Sequence, residues 1–493
     1  MAESPLVPKI LGKETEFTGA IDGPKNLGFS KERAGCSHEL RSMDREPANK
    51  PLDGVSLEER HAALERLGIY TTGTTLLSNG CRLYIDPSGP EGCTPEVTSA
   101  EELAHRDFML DTMMYKFLGE LQRDGKVGQF QINKRSADHA GFTRGNHINI
   151  ASAETFSLAK NSDIHALATL NLGKAALFGS GGLHVLRSGQ TIYLHSPRIA
   201  MNTIYKKSGS SAGITKALVR HGTKKDVGCN RVEHVANDAL SLPWALRAST
   251  IISYATQVCL ERNIDMSSLP QVIVGKDETR LRQSAWSAGL HGADGSVAVT
   301  NSEGKQQTVS TLDILELYTA ELLSLHDRLV HFDPETLQVL GEIMDVIAKV
   351  RLDEDVSEFV ESHARLHALK RKMDKDKLMI GDEQMCRYDF YWDQIGGGLA
   401  ERLRERGFGW HGFTEKYSVR GMRKRLTTAP IDTRAGLRSK YPVTPQKDNY
   451  LVKDWSKIMN PTTERCFRIP PYQTELPADF NTELTTVDDF DSK

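Results

Sequence analysis

The chain has 493 residues, 39% of them hydrophobic, and 62 Lys and Arg against 65 Asp and Glu for a formal net charge of -3. That is enough apolar material for a substantial core and too little positive charge for a general nucleic-acid binder. No apolar run approaches the ~18 residues of a membrane span, "MAESPLVPK" has no signal-peptide core, and seven cysteines without a CxxC pair read as reduced thiols. A cytoplasmic globular protein with no membrane or nucleic-acid partner is predicted.

In chain order, "ILGKETEF" predicts a short strand, and residues 18–53 turn to Gly, Pro, Asn, Ser and charge without a period, predicting a long mobile loop. "SLEERHAALERLG" predicts a short helix capped by Ser56 and closed at Gly68. "GCRLYID" alternates as a strand does, and "PSGPEGCTPE" reads as turn. Ser99 and Glu102 form a capping-box signature before the amphipathic run that ends at Asp124. Strands are predicted at "GQFQINK", "NHINIAS" and "QTIYLHS", and helices near 162–177 and from Leu242 to Arg262. Residues 312–372 are helix-periodic in three segments joined by "FDPE" and "LDEDVSE", and a further helix lies at "GGGLAERLRERG". The chain ends in an acidic stretch over 481–493. Strands mostly early, with helices interleaved and then clustered, predict an α+β fold with an antiparallel sheet backed by helices.

Residues i and i+2 of a strand share a face, so "ETE" places Glu14 and Glu16 side by side. Two adjacent carboxylates repel, and a divalent cation relieves that repulsion; magnesium takes hard oxygen ligands and the phosphates of a nucleotide. An isolated Glu-x-Glu is also the ordinary polar face of an edge strand. Its company is what matters. Arg82, Tyr84 and Asp86 share one face of the next strand, with Glu91, Thr94 and Glu96 just beyond. His147 and Asn149 share another, and "NRVEHVAND" supplies Arg231, His234 and Asp238. Arg434 and Arg438 stand four apart in "DTRAGLRSK", as surface arginines commonly do. Lys416 to Arg425 carries five basic residues, which suit ATP or an acidic protein tail.

The order ETEF, NG-RLY-D, PE, TPE, AG---G-H-N, R--H, TRA-LR and DW resembles the prokaryotic Pup ligase and depupylase family, relatives of glutamine synthetase and glutamate–cysteine ligase, from about residue 9 to about 468. The resemblance implies a curved antiparallel sheet cradle backed by helices, with a catalytic domain over 1–424 and a small C-terminal domain over 425–480. It implies ATP and Mg2+ as cofactors, with metal ligands at Glu14, Glu16, Tyr84, Glu91, His147 and His234. Nucleotide contacts fall on Arg82, Thr94, Arg231, Arg434 and Trp455, with Arg198 added as a charge-neutralising group, and the proton-accepting base falls on Asp86. The implied reaction activates a carboxylate of a small protein, peptide or metabolite as an acyl phosphate and joins it to an amine. The polar insertion over 18–53 and "FGSGGL" resemble the depupylase branch, so an amidase or deamidase using bound nucleotide, or a phosphotransferase or inactive relative, remains the alternative.

Several positions depart from the family motifs. Lys13 replaces the apolar residue of GIETEFG, the turn after Asp86 is one residue shorter and lacks the histidine of HPE, HEN becomes "HIN" at Ile148, GDSN becomes "NDAL", and RRLH matches Arg231 and His234 only with one extra residue between them.

Overall fold

The computed structural model describes residues 8–21, 52, 54–71, 76–86, 89–137, 139, 143–153, 156, 161–201, 219–221, 229–272, 278–301, 303–439, 451–454, 457–459 and 466–475. The early strands are β1 (Leu11–Glu16), β2 (Thr18–Ile21), β3 (Arg82–Asp86), β4 (Gly89–Cys93), β5 (Phe130–Asn133) and β6 (Asn146–Ser152). They are followed by β7 (Gly182–Val185), β8 (Thr191–Leu194), β9 (Val219–His221) and β10 (Asn230–His234). Six of them form one sheet in the order β3-β4-β1-β6-β10-β9, antiparallel at every junction. The α+β class with an antiparallel sheet is what the sequence predicts. β1 lies inside this sheet, not at its edge.

One face of the sheet is sealed by helices. Burial along β1 alternates, with Leu11, Lys13 and Thr15 buried and Gly12, Glu14 and Glu16 half-buried. Leu11, Ile148, Ile150 and Val232 belong to the same core as the helices Ala100–Arg123 and Pro243–Glu261. Burying each such aliphatic side chain contributes about 1.5–3 kcal/mol. Ser99 caps the first of these helices, its hydroxyl accepting from the Glu102 N–H. The second begins with Pro243, and the N–H groups of Ser241 and Leu242 ahead of it donate to the Glu361 carboxylate at 2.6 and 2.9 Å. Three consecutive helices, Thr311–Arg328, Pro334–Arg351 and Glu361–Asp376, occupy the predicted helical region.

Two local readings need correction. The segment read as turn, "GPEGC", is β4, paired on both sides. Its glycines hid it: a Cβ on Gly92 would meet Leu110 Cδ1 at 2.8 Å, so the helix Ala100–Arg123 approaches too closely for a larger residue. Thr18–Ile21, taken as the start of the loop, forms β2 against β5, while 22–51 lie outside the described residues. The helix Val419–Thr427 packs on the helix Ala100–Arg123. Among the described residues no helix is long and apolar enough to cross a membrane.

Candidate functional site

The register of the sheet gathers side chains by rows, because residues directly opposite in antiparallel strands project from one face. Arg82 opposes Cys93, Cys93 opposes Glu14, and Glu14 opposes His147. In the next row Tyr84 opposes Glu91, which opposes Glu16. On the other side Gly12 opposes Asn149, which opposes Glu233, with Arg231 opposite Ala151. All these residues lie on the face away from the two core helices.

Contacts within this face are mostly between charges. Arg231 Nη1 donates to Glu14 Oε1 at 3.2 Å and its Nη2 to Glu233 Oε1 at 2.6 Å. His147 Nδ1 lies 3.2 Å from Glu14 Oε2. The Arg82 guanidinium stacks over the Tyr84 ring at 4.3 Å, and the Tyr84 hydroxyl bonds to Glu91. Burial first, then the neighbouring Cys93, Glu91 and Glu14, raises the Tyr84 phenol, so it stays protonated unless a cation joins it. Among the described residues, a Cβ on Gly12 would meet nothing within 4 Å, whereas one on Gly145 would fall 2.3 Å from Glu16 Oε1, and the buried Asn149 Oδ1 has no hydrogen-bond partner.

Of the site residues expected from the sequence, Glu14, Glu16, Arg82, Tyr84, Glu91, His147 and Arg231 are brought together here. Asp86 closes β3 opposite Gly89, two positions past Tyr84. Four others stand elsewhere. His234 opposes Ile148, on the helix-covered face, where burial and then the Lys174 ammonium push its imidazole down to about 3. Thr94 is buried, its hydroxyl accepting from the Lys13 N–H at 2.9 Å. Arg198 is buried, with Nε on the Val235 carbonyl at 2.6 Å and its N–H on Asp238 at 2.8 Å. Arg434 is gripped by Glu96, Nε to Oε1 at 2.6 Å, and donates to the Ile469 carbonyl. Trp455 lies outside the described residues.

Sequence and fold comparisons decide the family. The family model described as "Pup-ligase protein" matches residues 9–238 and 256–459. The chain belongs to the Pup-ligase family. It is thereby an enzyme of the ligase class. Among solved structures, the complex between the prokaryotic ubiquitin-like protein Pup and its ligase PafA superposes with a TM-score of 0.70 at 18% identity, covering 96% of this chain and 90% of that one. PafA in complex with ADP gives 0.66 at 18% identity, over 85% and 90% of the two chains. No curated protein sequence matches significantly.

Against the Pup-ligase motifs, the departures now have places. Lys13 and Ile148 are directly opposed on the helix-covered face. The motifs carry an apolar residue and a glutamate at these positions, so here a negative charge on β6 is absent and a positive one stands on β1, both on the helix-covered face. The arginine and histidine of RRLH are two apart and share a face; the residue two past Arg231 is Glu233, which the sequence reading missed. The period of two was the available signal, and allowing an extra residue obscured it.

Glu96 was named in the sequence without a role. It accepts from both Arg434 and Arg438, the latter through Nη1 at 3.1 Å and Nη2 at 2.7 Å, and fastens the helix Arg434–Ser439 beside the sheet. Burial alone would raise its carboxyl, but the two guanidiniums overcome this and hold it at about 2 against an ordinary 4.5. The stabilisation is complete above pH ~4.5 and is lost as pH falls towards ~2. Glu96→Gln is expected to cost about 1.5–3 kcal/mol at neutral pH. The variant should also flatten the loss of stability between pH 5 and 2, which chemical denaturation across that range would read.

Proposed function

We propose that this chain is an ATP- and magnesium-dependent ligase. It activates a carboxylate of a small Pup-like protein as an acyl phosphate and joins it to an amine, forming an isopeptide bond. The observation that carries this is the gathering of Glu14, Glu16, Tyr84, Glu91, Arg82 and His147 on one sheet face in a Pup-ligase family member. The donor set fits magnesium: carboxylates and a phenol are hard oxygen ligands. Among the described residues no three His, Cys, Asp or Glu side chains converge closely enough to hold a metal alone. Magnesium commonly uses one or two carboxylates and takes the rest of its shell from phosphates and water.

Magnesium, when bound, would neutralise charge on the phosphates during transfer. Glu14 and Glu16 would hold it from β1, with Glu91 and Tyr84 beside them and His147 fixing the orientation of Glu14. Arg82, stacked on Tyr84, would stabilise negative charge on the transferring phosphoryl group. A carboxylate is a poor acyl donor because oxide is a poor leaving group; phosphorylation makes the leaving group phosphate. The attacking amine, with an unperturbed pKa of about 10.4 if it is a lysine, arrives protonated and needs a base. Asp86, at the end of β3, is assigned that role. Gly12 leaves room over the centre of the sheet for a nucleotide.

The test is to incubate the purified protein with ATP, Mg2+, Pup and a lysine-bearing acceptor. ADP, phosphate and an isopeptide-linked product in equal amounts support the reading. Cleavage of a preformed isopeptide with ATP intact would instead identify an amidase.

A further inference from the structure

Arg231 pairs with both Glu233 and Glu14 on the carboxylate face. Glu233 is nearly sealed, its side chain 2% exposed, whereas Arg231 is 40% exposed. The buried carboxylate fixes one arm of the guanidinium at 2.6 Å, and the other arm reaches Glu14 at 3.2 Å. A guanidinium arm therefore stands on the carboxylate assigned to the cation. Arg231 and a divalent cation compete for Glu14 Oε1, since two cations that close repel at a partly buried site.

We propose that Arg231 is a built-in counter-ion for Glu14, that Glu233 is its positioning residue, and that cation binding requires the Arg231–Glu14 contact to open while Glu233 retains the arginine at the site. This rests on the reading of Glu14 as a cation ligand. Without cation, the arginine offsets repulsion among Glu14, Glu16 and Glu91. With cation, Arg231 stays tethered to Glu233, and the arm that leaves Glu14 turns to a phosphate. A carboxylate suits this tether because it pairs with the guanidinium by charge as well as by hydrogen bond.

The test is titration of Mn2+ into the full-length, nucleotide-free protein, read by electron paramagnetic resonance, with circular dichroism confirming the fold of each variant. Arg231→Gln removes the competitor and should bind Mn2+ about tenfold tighter, while binding ADP more weakly when Mn2+ is present. Glu233→Gln removes a negative charge and weakens the tether that draws Arg231 away from Glu14, so Mn2+ should bind about tenfold more weakly. Arg231→Lys keeps the positive charge but not the two-armed contact; tighter Mn2+ binding there supports opening of the Glu14 contact, and parental affinity there overturns it. Equal shifts in one direction, or no shift, overturn the proposal. Glu14→Gln separates the two levels. If it leaves Mn2+ affinity unchanged, the reading of Glu14 as ligand fails. If it abolishes Mn2+ binding while Arg231→Gln does not tighten it, the counter-ion proposal alone fails.

Discussion

Asp86→Asn is expected to bind nucleotide almost as the parent does and to lose ligation turnover by about 10²–10⁴-fold, the usual contribution of a positioned general base. The substitution is nearly isosteric, and the backbone pairing of residue 86 with Gly89 does not depend on the side chain. A fold change is therefore not the expected cause of lost activity. Asn cannot accept the proton that a lysine brings at neutral pH. Raising the pH should partly restore the variant, because more of the amine then arrives neutral. Steady-state ligation against pH, alongside ADP affinity, reads both effects; full turnover in Asp86→Asn would remove this residue as the base.

Asp107→Leu is expected to be the most destabilising single change on the helix-covered face. Asp107 is fully buried and takes Lys13 Nζ on Oδ1 at 2.5 Å and Lys134 Nζ on Oδ2 at 3.0 Å. Burial by itself would raise its carboxyl, but the two ammonium groups hold it at about 2. Lys134 also pairs with Asp111 at 2.8 Å, so it keeps a partner when Asp107 is lost. Lys13 loses the carboxylate it touches, and an uncompensated buried charge costs about 3–5 kcal/mol. Burial already lowers the Lys13 ammonium, and without Asp107 it would shed its proton at lower pH still. Lys13→Ile should cost distinctly less, because Asp107 retains Lys134 and the new side chain stands opposite Ile148. Urea denaturation of the two variants checks this ordering. Equal losses would mean that the cluster does not distribute its charge as the contacts indicate.

Much of the sheet was legible because alternation is a strong signal where one face is buried and the other polar. Leu11, Lys13 and Thr15 point inward and Glu14 and Glu16 outward, and "NHINIAS" became β6 residue for residue. Glycine-rich β4 was not legible, since its residues are selected by the close approach of a helix that no local pattern announces. The carboxylate face could be assembled from strand parity, but strand order could not. Only the register shows that Glu14 stands between Cys93 and His147 and that His234 faces the opposite way. Arg434 illustrates a different limit. Two arginines four apart on a short helix look like solvated surface, and their common partner Glu96 lies 338 residues earlier for Arg434. Long-range ion pairs carry no local periodicity.

The most direct measurement is calorimetric titration of ADP into the protein with and without Mg2+, for the parent and for Glu14→Gln. The parent should bind ADP much more tightly with magnesium, and the variant should lose that gain while keeping whatever cation-independent affinity Arg82 provides. If Glu14→Gln retains the full magnesium-dependent gain, this sheet face is not the seat of the metal–nucleotide complex.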